Sequence, residues 1–139
     1  MKVYFSVSKN YALMLCIVML FCFVLLSLAS AQRGGVGLKT EEKRTSYLNS
    51  MGYGDYEYME SKEVFIPYTF SDKMQRYNAV IKSSGYDLYE YAGNSATLYT
   101  YFFENNCIHL LCFEDKLICA DLCDFENNNI YPLKERKNG

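Results

Sequence analysis

Ala12 to Leu28 is an uncharged apolar run of 17 residues, preceded by Lys2 and Lys9 and followed by Ala29-Ser30-Ala31 ahead of Gln32. A basic start, an apolar middle and small residues at the cleavage positions are the design of a secretory signal. The run is at the short limit for spanning a bilayer. We therefore expect residues 1–31 to be a cleaved signal peptide, with no stable membrane insertion afterwards. The expected localisation is secreted (extracellular) or periplasmic. What remains to fold is 108 residues, enough for one small domain.

Loss of Lys2 and Lys9 leaves 12 basic against 16 acidic side chains. A mildly acidic surface argues against nucleic acid and anionic membranes, both of which reward Lys and Arg. Cys16 and Cys22 lie in the apolar run, so the mature chain keeps Cys107, Cys112, Cys119 and Cys123. Four cysteines in a small exported chain read as two disulfides.

Residues 32–62 contain few aliphatic side chains and much charge, and we expect a flexible acidic, Tyr-rich arm. Its stretch Tyr53-Gly-Asp-Tyr56-Glu-Tyr58 suits sulfation or a basic partner. Residues 126–139 read as a loose polar tail. Between them, 63–125 is the expected α+β domain. Val64–Tyr68 reads as a short strand that Pro67 confines to an edge. Ser71 or Asp72 caps a helix to about Ser84, with Met74, Tyr77 and Ile81 on one face and Gly85 after its end.

Beyond the helix the apolar period falls to two. Tyr86–Tyr91, Thr97–Phe103, Cys107–Phe113 and Leu117–Cys123 are expected as a four-stranded antiparallel β-meander on which the helix packs. Turns are placed at Ala92–Ala96, Asn105-Asn106 and Asp115-Lys116. A helix over Cys107–Phe125 is the competing reading, opposed by the Tyr, Thr and Phe enrichment and the turn residues. Alternation assigns Leu88, Leu98, Phe102, Leu111, Phe113, Ile118 and Leu122 to the helix-covered face. Tyr89, Tyr91, Tyr99, Tyr101, Phe103, Leu110, Cys112 and Cys119 fall on the other.

With a turn at Asp115-Lys116, Cys112 and Cys119 become cross-strand neighbours, and we expect a disulfide there. Cys107 and Cys123 nominally face opposite ways, so a bond between them requires local twist. The spacing C-x4-C-x6-C-x3-C lacks the paired knuckles of structural zinc sites, and no metal or cofactor is expected. No C-x-x-C redox motif occurs. His109, the one histidine, is expected to be partly buried on the helix side; pairing with Cys107 as base and nucleophile lacks an orienting acid nearby in sequence. No carboxylate spacing selects a glycosidase pair, Gly52-Tyr-Gly lacks the downstream Lys of a phosphate loop, and no Asn-x-Ser/Thr sequon is present.

Tyr89, Tyr91, Tyr99 and Tyr101 form the expected ligand platform, because tyrosine offers large area with a polar tip. The expected function is non-catalytic binding of an extracytoplasmic protein or other ligand through this face or the acidic arm. Two alternatives stand beside it: a small secreted hydrolase using His109, and a surface component that self-associates through sheet edges.

Overall fold

The structure, a computed structural model, describes Met14, residues 17–22 and residues 35–136. The chain divides into two compact units, Met1–Gly34 and Gly35–Gly139. In the first unit the described residues are helical. The expected cleavage site at Ala29-Ser30-Ala31 lies outside the described residues. No helix among the described residues is long and apolar enough to cross a membrane.

The second unit begins with an extended segment whose Leu38 is buried and whose Thr40 caps the helix α1, Glu41–Ser50. The Thr40 hydroxyl accepts from the Lys43 amide, and Glu41 and Glu42 favour the positive end of the helix dipole. Gly52 follows at φ +84°; a Cβ there would sit 2.8 Å from the Arg136 carbonyl, so only glycine fits both the turn and the neighbour. Strand β1, Glu57–Phe65, runs along an edge of the sheet. Helix α2, Asp72–Lys82, starts at Ser71, whose hydroxyl accepts from the Met74 amide. A single 3-10 turn, Leu88–Tyr91, follows Asp87.

Strands β2 (Ser95–Phe103), β3 (Asn106–Phe113), β4 (Lys116–Asp124) and β5 (Asn129–Pro132) complete a five-stranded antiparallel sheet in the order β1-β2-β3-β4-β5. The α+β class and the helix at Ser71 agree with the sequence reading, as do three of its strands. The sheet has five strands rather than four, and the helical alternative for Cys107–Phe125 is excluded. Tyr86–Tyr91 is not a strand, because the Asp87 side chain accepts from the Tyr89 amide and closes a helical turn there. The first strand takes most of its residues from the expected arm and ends at Phe65, so the expected strand Val64–Tyr68 supplies only its last two residues; from Gly35 onward the arm forms an extended segment, α1 and most of β1. The expected loose tail supplies β5, and Leu133 beyond it is buried.

Two cores sandwich the sheet. On one face α1 packs Tyr47 and Leu48 against Tyr99, Tyr101, Ile108, Leu110, Cys112 and Ala120. On the other, α2 packs Met74, Tyr77 and Ile81 against Leu98, Leu111, Ile118 and Cys119. Both faces are covered, so each strand of the sheet centre reads as nearly continuous apolar sequence.

The hairpin β3–β4 turns at Glu114 and Asp115, both at positive φ, one residue before the expected turn. Ile118 is then an extra residue in β4: Leu111 faces Cys119, whereas Cys112 faces Leu117. Cys112 and Cys119 therefore belong to different cores, which corrects the expected bond between them. Cys107 and Cys123, expected to face opposite ways, are direct cross-strand partners. All four are thiols in this structure.

Candidate functional site

The four tyrosines of the expected platform do not share a surface. Tyr99 and Tyr101 project from β2 beneath α1, where Tyr101 is 1% exposed. The Arg44 Nε–H donates to the Tyr101 hydroxyl at 3.1 Å, and the guanidinium lies 3.9 Å above the Tyr99 ring. Tyr89 stacks on Phe70 at 4.0 Å, and Tyr91 leans against Phe113 in the α2-side core. The arm tyrosines are likewise used in packing: Tyr53 is buried edge-on to Phe103, and Tyr56 and Tyr58 meet the Tyr101 ring at 5.5 Å.

Polar chemistry gathers on the α2 side. Thr100, His109 and Asp121 stand in a row across β2, β3 and β4. Asp121 is buried, its side chain 3% exposed; one carboxylate oxygen lies 2.9 Å from His109 Nδ1, and the other accepts from the Tyr77 hydroxyl. The His109 side chain remains 27% exposed. Tyr77 also lies 3.0 Å from Cys119 Sγ. A buried carboxylate must be compensated, and here an imidazole and a phenol from two elements do so. Burial, reinforced by the Asp121 charge, pushes the Tyr77 phenol far above its ordinary value. Burial pushes the Cys112 thiol up to about 11 and the Cys119 thiol up to about 12, so neither is a ready nucleophile.

Asp121 supplies the orienting acid that sequence proximity did not reveal. It holds the His109 ring through Nδ1. Among the described residues no hydroxyl or thiol is hydrogen-bonded to His109, and Cys107, two residues away on the same face, contacts the Met59 sulfur at 3.9 Å instead. The arrangement fixes the imidazole but brings no nucleophile to it. No group of three or more His, Cys, Asp or Glu among the described residues could hold a metal ion.

Beside this cluster, α2 and the β4–β5 turn enclose an open groove of about 540 Å³. Met74, Tyr77, Val80 and Ile130 give it an apolar wall, and Lys73 and Arg76 stand at its rim. Neither cation forms an ion pair among the described residues. The groove was not foreseen because β5 was read as tail. Its available signal was a helix carrying Lys73, Arg76 and Val80 at helical spacing. No family model, no curated protein and no solved structure matches the chain.

Proposed function

We propose that this chain is a small exported, non-catalytic binding protein that takes an apolar ligand with an anionic end in the groove between α2 and β5. The observation that carries the reading is the pairing of an apolar wall at Met74, Tyr77, Val80 and Ile130 with the two cations Lys73 and Arg76. Its volume falls within the range of small-molecule sites, which combine apolar linings with a few placed polar groups. Relative to the sequence reading, the binding surface moves away from Tyr99 and Tyr101, which α1 covers, to the opposite side of the sheet. Export rests on the leader pattern alone.

Dodecanoate is a suitable probe, titrated calorimetrically into the full chain with the cationic amphiphile dodecyltrimethylammonium as comparison. Saturable binding of the carboxylate is expected, weakened at least about tenfold by Lys73→Glu with Arg76→Glu and by Val80→Asp. Equal affinity for both amphiphiles, or affinity unchanged in these variants, refutes the groove as the binding site.

The hydrolase reading has one observation in its favour, the His109–Asp121 pair at 2.9 Å. It requires a nucleophile within reach of His109, and a hydrolytic activity lost in both His109→Gln and Cys107→Ser would establish it.

A further inference from the structure

Cys107 on β3 and Cys123 on β4 are registered directly opposite each other. Antiparallel partners have Cα atoms roughly 4.5–5.5 Å apart, inside the span that a disulfide bridges. The other two thiols of this unit are excluded from pairing: Cys112 lies in the α1-side core and Cys119 in the α2-side core. Around the opposed pair the sheet is open. Phe102 and Ile130, the cross-strand neighbours of Cys107 and Cys123, are each 37% exposed, and Met59 beside Cys107 is 54% exposed. Cys107 itself is buried, and Cys123 is the more accessible of the two residues.

We propose that Cys107 and Cys123 are the disulfide-forming site of this protein, bridging β3 to β4, while Cys112 and Cys119 stay reduced. The setting in which the bond forms rests on the export reading above; its geometry does not. The oxidant is a small-molecule disulfide such as oxidised glutathione. The Cys123 thiolate attacks one of its sulfurs and expels one thiolate, leaving a mixed disulfide. The Cys107 thiolate then attacks the Cys123 sulfur and expels the second. Two protein S–H protons end on the two released thiols, and the reagent takes up both electrons.

Burial, aided by the Asp121 and Asp124 carboxylates, raises the Cys123 thiol above its ordinary value. Burial, then Cys123 and Asp121, does the same for Cys107. Neither sulfur is held as a standing thiolate, which suits a fixed bond rather than a redox relay. The bond would pin the end of β4 that carries β5 and thus the far wall of the groove.

The test equilibrates the full reduced chain in glutathione buffers of increasing oxidised fraction, blocks free thiols and maps the peptides. Expected is a Cys107–Cys123 crosslinked peptide with Cys112 and Cys119 recovered as thiols, and a thermal midpoint about 10 °C above that in reducing buffer. In Cys107→Ser the gain should vanish and Cys123 should carry one glutathione; in Cys123→Ser the gain should vanish as well. Recovery of Cys107 and Cys123 as free thiols at every poise, or a crosslink joining Cys112 to Cys119, overturns the proposal. Because the assay involves neither secretion nor ligand, failure of the export or groove reading leaves its outcome unchanged.

Discussion

The Arg44 guanidinium is buried against Tyr101, donating to its hydroxyl from Nε at 3.1 Å while its Nη1 donates to the Leu38 and Lys39 carbonyls. A cation held this way serves three acceptors, two of them in buried contacts. Replacing Arg44 with Leu should cost about 2–4 kcal/mol, because the acceptors lose their donor and cannot recover water. Tyr101→Phe should cost only about 1 kcal/mol. Urea denaturation of the two variants checks the ordering; equal losses would mean that the Arg44 carbonyl contacts contribute nothing.

Tyr77 donates to a carboxylate that is almost wholly buried. Tyr77→Phe removes one charge-compensating hydrogen bond and should lower stability by about 1.5–3 kcal/mol, beyond what loss of an exposed hydroxyl would give. Paired with Asp121→Asn in a double-mutant cycle, the two losses should fall well short of additive. Additive losses would place the Tyr77 hydroxyl outside the Asp121 network.

Asp87 joins α2 to the 3-10 turn, accepting from Asn78 at 2.9 Å and from the Tyr89 amide, and pairing with Lys82 at 2.8 Å. These contacts, Lys82 first, hold its carboxyl at about 2, below the usual 3.8. A depressed carboxylate stabilises the fold fully above its unfolded value, and that contribution disappears as pH falls through its folded value. Asp87→Asn should therefore lower the melting temperature near neutral pH, and the gap from the native chain should close as pH falls from about 4 to about 2. Solvent screening of the exposed Lys82 partner keeps the effect near about 1 kcal/mol. A gap constant across that interval would show that Asp87 acts without its charge.

The β2–β3 hairpin turns through Glu104 and Asn105 at φ 46° and 61°, a geometry that favours Asn-Gly. The double change Glu104→Asn and Asn105→Gly should raise stability by about 1 kcal/mol even though it removes the exposed Arg136–Glu104 pair, which is worth little. A lower melting temperature would indicate that Arg136 depends on that pair to hold the segment after β5 against Met51 at the end of α1.

Local signals served the sequence reading well where they were strong. Ser71 at the start of α2, Ile81 on its buried face and Gly85 at φ +86° beyond its end were all legible. Helix α1 was not, because Leu48 is its only buried aliphatic side chain and the buried Arg44 reads as surface charge until its partners are known. In β4 the expected faces fail only beyond Ile118, because the bulge there reverses every side chain after it, whereas the turn displaced by one residue leaves the faces unchanged. Asp121 is a lone acid in the otherwise apolar run Leu117–Leu122, and only the fold shows that His109 and Tyr77 converge on it.

The additional residue at Ile118 also acts as a spacer between sulfurs. A regular ladder that kept Ile118 in register would turn Cys112 and Cys119 toward a common side. As the chain stands, the two layers of the molecule are chemically insulated from each other, and air or peroxide reaching one cannot stitch it to the other.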